Sequence, residues 1–154
     1  MRKLVLFIAT GAGSGYAPIA SGTFGSAVGL ILYGLLVCVS PLAMLVGTAV
    51  LIPIGVWAAD RAEKLFGRED DGRIVIDEIA GMLVSLAFLP VGLEVALVGF
   101  FVFRLFDIVK PPPVRQMESL HGGFGVVFDD VLAGVYANLV GQVLWRWIWP
   151  GGWL

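Results

Sequence analysis

From Leu4 to Ala59 the chain carries no charged side chain. A transmembrane helix needs about 17–25 apolar residues, so this stretch is long enough for two passes. A soluble domain of 154 residues could not enclose it without leaving much of it exposed. The chain taken whole is also strongly apolar. The sequence is 58% apolar and 14% charged, against roughly 45–50% and about 25% in soluble domains, and its mean hydropathy is +0.93. A membrane is the natural solvent for such a chain. The formal net charge of −2 removes nucleic acid as a partner, because binding a phosphate backbone rests on an excess of Lys and Arg. Cys38 is the single cysteine, so one chain can build neither a disulfide framework nor a thiolate metal site. The opening MRKLVLFIATGAG has the outline of a signal peptide. The GSGYAPIASGTFGS that follows is glycine punctuation better suited to a functional loop than to a discarded leader.

Five apolar stretches follow one another: about Phe24 to Val39, Leu42 to Ala59, Ile79 to Leu89, Val95 to Phe106 and Val131 to Trp149. Strands in lipid require a closed barrel and nothing here alternates with period two, so all five are expected to be helical. Pro41 and the run Pro90, Val91, Gly92 fall where neighbouring stretches need a tight turn, which predicts helical hairpins. The expected fold is all-α: a multi-pass transmembrane bundle of short helices, with residues 1–154 as one domain and the active site at one membrane face. If the hairpin turns lie on one side, Arg2, Lys3, Arg61, Lys64, Arg68, Arg73, Arg104, Lys110 and Arg115 lie on the other, leaving Arg146 opposite. The positive-inside rule makes that charged face cytoplasmic. Trp145, Trp147, Trp149 and Trp153 are expected to form an aromatic belt at the far interface. The N-terminal segment from Leu4 to Ala9 either lies in the interface or docks on the bundle.

Four constellations could carry chemistry. Gly22, Thr23, Gly25 and Ser26 sit where the first hydrophobic helix starts; their exposed amides and hydroxyls suit an anion, and a helix cap with glycine spacers is the plain alternative. Asp77 and Glu78 precede the third helix, where the dipole favours them and where carboxylates facing a bundle also suit a cation or proton. Arg104, Asp107 and Lys110 recur every third residue, a spacing that sets one carboxylate between two cations on a helical face. His121 leads into Asp129 and Asp130, which open the last helix and begin a polar stripe of Asp130, Gly134, Asn138 and Gln142. Interhelical hydrogen bonding is the better account of Asn138 and Gln142. The mixed charges from Asp60 to Asp70 read as a solvated helix.

The topology therefore delivers five carboxylates, two cations and a glycine loop to one interface, and oxygen ligands of that kind suit Mg²⁺. Metal-assisted phosphoryl chemistry is coherent with this set. A small ion or solute transporter could use the same groups, but it more often places them near mid-membrane, whereas these gather at one end.

In order, GAGSGYAPIASGTFGS, DDGRIVIDEIAG, FRLFDIVKPPPV and HGGFGVVFDDVLAG resemble the motifs of the phosphatidylglycerophosphatase A family, over about Thr10 to Val135. The resemblance implies Mg²⁺-dependent hydrolysis of phosphatidylglycerophosphate to phosphatidylglycerol and phosphate at the cytoplasmic side of a bacterial inner membrane. The family's blocks fall on Asp77 and Glu78, on Asp107 and Lys110, and on Asp129 and Asp130, without assigning individual roles; the mechanistic expectation is that Asp77, Glu78, Asp107, Asp129 and Asp130 are catalytic, with the metal on Asp77, Glu78, Asp129 and Asp130. Gly22, Thr23, Gly25, Ser26, Arg104, Lys110 and His121 are the expected phosphate-binding set, and Asp70 matches a further aspartate upstream. The family's loop often reads Pro-Gly-Thr, and Ser21 replaces that proline here. The sequence leaves room for a homodimer.

Overall fold

The computed structural model describes residues 1–148. Among them it is entirely helical: α1 Arg2–Ala9, α2 Ser21–Val39, α3 Pro41–Phe66, α4 Ile76–Leu86, α5 Leu93–Val109, the single turn α6 Val114–Met117, and α7 Gly123–Val143, which runs on through a π-helical turn to Ile148. The breaks follow local chemistry. Ser40 caps α3 by accepting from the amide of Ala43 at 3.0 Å, with Pro41 in the first helical position, where its missing donor costs nothing. Gly67 ends α3 in the left-handed conformation, φ 69°. The two hairpins expected at Pro41 and at Pro90 to Gly92 both form.

Three helices, Ser21–Val39, Pro41–Phe66 and Gly123–Trp147, are long and apolar enough to cross a membrane. Only 28% of the apolar windows of α2 and α3 is buried against the rest of the chain, and both present exposed apolar side chains, among them Ile31, Leu35, Leu42, Val46 and Val50. The short α4 lies at the centre, packed on α7, α2, α3 and α5. Asp77, Ile79, Ala80, Gly81, Met82, Leu83, Ser85 and Leu86 of α4 are all buried. Helix α1 docks on the bundle: Val5 and Ala9 enter a cluster with Ala58, Ala59 and Ala62 of α3 and with Ile76 and Ile79 of α4.

Two expected boundaries move. The last helix begins at Gly123 and not near Val131, because Gly123 lies against the Val56 carbonyl of α3, where any side chain would collide. Asp129 and Asp130 therefore stand inside α7 and do not cap it. Gly22, Gly25 and Ser26 likewise lie within α2, not in a loop ahead of it. Of the expected tryptophan belt, Trp147 is exposed and Trp145 packs on the core, while Trp149 and Trp153 lie outside the described residues.

Candidate active site

Two loops fix the start of α4. The Val75 amide donates to the Ala9 carbonyl at 2.8 Å, and the Ser21 hydroxyl donates to the Gly72 carbonyl at 2.6 Å. Asp71 is buried and takes a bidentate hydrogen bond from Arg73, 2.7 and 2.8 Å, which holds its pKa below the usual carboxylate range. Arg73 also stacks over Phe66, 3.8 Å from the ring centre. Sequence reasoning gave Asp71 no role, and its short Asp-x-Arg spacing was the available signal.

From that anchored start, Asp77 and Glu78 project from the first turn of α4 toward Asp130 of α7. One carboxylate oxygen from each of the three lies within 4.8 Å of the others. Asp77 Oδ1 and Glu78 Oε2 are buried and have no hydrogen-bond partner among the described residues. An ionised carboxylate left so carries an uncompensated cost of several kcal/mol. The donor set is three hard oxygens with no His or Cys among them, which fits a divalent cation of the Mg²⁺ type.

Asp107, in the last turn of α5, is buried beside Asp130 and Glu78 and is ion-paired to Arg104. Arg104 Nη1 also donates to the Ser26 hydroxyl at 3.4 Å. Ser26 is fully buried, and its one proton is spent on the Gly22 carbonyl at 2.9 Å. It supports Arg104 and has no proton left for a phosphate. Gly22 is where α2 approaches closest: a Cβ there would strike Glu78 Oε1 and lie 3.1 Å from Arg104 Nη1. Gly25 does the same against Val75, so both glycines serve helix contact. Thr23 is partly exposed in the same turn.

Lys110 departs from the expected triad. It caps α5 in the left-handed conformation, φ 45°, which turns it off the helical face that carries Arg104 and Asp107. Its ammonium binds Asp129 at 2.7 Å and Glu118 at 2.8 Å. Desolvation works against its charge, yet the bonds to Asp129 and Glu118 prevail, raise its pKa and keep it a cation. Asp129 and Asp130 are adjacent on a helix and so point about 100° apart. Asp130 joins the carboxylate triad and Asp129 pairs with Lys110, its other oxygen accepting from the Asp130 amide at 2.9 Å.

Asp129 also lines a cavity of about 240 Å³ with Glu63, Glu69, Asp70, Glu118 and His121. His121 is exposed, and Asp70 sits at φ 46° with its amide bonded to Glu63. Both belong to this outer cavity and not to the triad. Glu118 had no sequence signal, because only the turn through Pro111, Pro112 and Pro113 returns it to Lys110. Farther along α7, Asn138 donates to the carbonyls of Ser85 and Ala87, and Gln142 to that of Phe88, the interhelical role expected for both.

The phosphatidylglycerophosphatase A family model matches residues 7–145. A Bacteroides thetaiotaomicron protein, provisionally named as a phosphatidylinositol-3-phosphatase, is 41% identical, covering 94% of this chain and 95% of its own. The phosphatidylglycerophosphatases A of Haemophilus influenzae and Escherichia coli are 38% and 37% identical. The former alignment covers 92% of this chain and 88% of the relative; the latter covers 83% and 76%. No solved structure matches.

Proposed function

The chain belongs to the phosphatidylglycerophosphatase A family, and from that premise we propose that it is a Mg²⁺-dependent membrane phosphatase that cleaves the phosphomonoester of phosphatidylglycerophosphate. The observation that supports this most directly is the meeting of Asp77, Glu78 and Asp130, with unpartnered buried oxygens on the first two. In this reading the three carboxylates hold the ion, Asp129 stands beside them, and Asp107, fixed by Arg104, orients the attacking water. A bound Mg²⁺ polarises the phosphoryl group and lowers the pKa of water. Lys110 and the Thr23 hydroxyl receive the phosphate from the open side, while Arg104, held by Asp107 and Ser26, balances the acidic cluster.

The same reading makes the protein a multi-pass bundle with its site at the cytoplasmic face of a bacterial inner membrane. The exposed apolar side chains of α2 and α3, and Arg104 and Lys110 beside the carboxylates, support that placement. Acyl chains stay in lipid, and only the headgroup reaches the carboxylates. The name of the Bacteroides relative favours a second substrate of the same chemistry, a 3-phosphoinositide. One assay separates the readings: phosphate release in detergent from each lipid, with Mg²⁺ and with chelator. Chelator-sensitive release from phosphatidylglycerophosphate is the expected result. Release from the phosphoinositide alone replaces the substrate, and release from neither removes the activity.

A further inference from the structure

We propose that Glu118 mimics the substrate: its carboxylate occupies, on Lys110, the place that the lipid phosphate takes. The idea rests on the reading of Lys110 as a phosphate ligand and adds a residue that controls access to it. Lys110 Nζ has three donors and spends two, on Asp129 at 2.7 Å and on Glu118 at 2.8 Å. The two partners differ in how firmly they are held. The Asp129 side chain is 8% exposed and also accepts from the Asp130 amide. The Glu118 side chain is 43% exposed, and Lys110 is its one hydrogen-bond partner among the described residues. It follows the single turn α6, just after the buried anchor Val114.

Lys110 is anchored at both ends: its backbone caps α5 through its amide to the Phe106 carbonyl, and its ammonium is held by the buried Asp129. Glu118 is the movable member. A phosphate monoester carries close to two negative charges against one on a carboxylate, so it outcompetes an exposed partner for the same ammonium. Asp129 and Glu118, the two partners of Lys110, also line the neighbouring cavity, so the ion pair stands at its wall. Glu118 keeps it covered until one arrives.

The test is binding of inorganic phosphate, measured by titration calorimetry on the full chain in detergent with Mg²⁺ present. Glu118→Gln should tighten binding by about threefold to fivefold, the factor an exposed ion pair contributes. Lys110→Met should weaken binding, and adding Glu118→Gln to it should restore nothing. Unchanged or weaker binding in Glu118→Gln overturns the proposal, as does a gain that persists without Lys110. Lipid hydrolysis by the same preparations is read separately. Turnover in wild type with no phosphate response to Glu118→Gln ends the mimic and leaves the phosphatase reading standing.

Discussion

Gly22→Ala tests the placement of Glu78 against α2. The added methyl would strike Glu78 Oε1 and lie 3.2 Å from Glu78 Cδ and 3.1 Å from Arg104 Nη1. These are the ends of flexible side chains, so the backbone can stay and the carboxylate must yield. Overpacking of this kind costs about 1–3 kcal/mol, and replacing glycine by alanine in a helix returns about 0.5–1 kcal/mol. The net loss of about 0–2.5 kcal/mol leaves the chain folded. Catalysis is far less forgiving, since a group misplaced by about 1 Å can cost on the order of 100-fold in rate. The expected variant is folded, with a thermal midpoint close to wild type and phosphate release reduced roughly 100-fold. Gly34→Ala, in the same helix with nothing within 4 Å of the new methyl, is the control and should keep full turnover. Wild-type turnover in Gly22→Ala would refute the placement of Glu78 against α2. Collapse of folding without a separate catalytic loss would do the same.

Glu78→Gln and Asp130→Asn each remove one charge from the triad and should lower Mg²⁺-dependent phosphate release by at least about 100-fold with the fold retained; turnover near wild type in either takes that residue out of the site. Asn138→Leu strips the donors from the Ser85 and Ala87 carbonyls, which should cost about 1–3 kcal/mol in unfolding experiments while specific activity at low temperature is kept; a stability unchanged from wild type counts against the cap. Arg73 depresses the Asp71 pKa, so the pair stabilises the fold above the ordinary carboxylate range and that contribution fades as pH falls through the lowered value. Asp71→Asn should therefore be less stable than wild type near neutrality and converge with it in acid, as followed by thermal unfolding across pH; parallel curves would show that the pair adds nothing.

What the sequence reveals here is what depends on nearest neighbours along the chain. The apolar runs and the prolines at 41 and 90 locate the helices and hairpins, because lipid forbids other backbone and proline ends a helix. That Asp77, Glu78 and Asp130 are candidates is also legible, since acidic pairs are rare beside apolar helices, and the fold brings these three together. Their division of labour is not. Whether Asp129 or Asp130 meets Asp77 depends on the rotation of α7, and that is set by Gly123 against Val56 and Gly134 against Gly81, contacts between distant segments. Lys110 fails the three-residue spacing rule for the same kind of reason: the helix ends under it, and its partners arrive from Glu118 and Asp129. Ser26 looks like a phosphate donor until the fold commits its proton to Gly22.

The polar stripe of α7 shows why the acids can sit where they do. Helix α4 has 11 residues, so it is about 16 Å long and ends well short of a hydrocarbon core about 30 Å thick. A helix that stops inside a bundle leaves carbonyls that must be satisfied. Asn138 and Gln142 meet those of Ser85, Ala87 and Phe88, while Gly134 lets the two backbones approach at Gly81. Asp130, from the same stripe, meets the other end of α4 at Asp77 and Glu78. The stripe thus serves one short helix along its length: its amides close one end of α4, and its carboxylate meets Asp77 and Glu78 at the other.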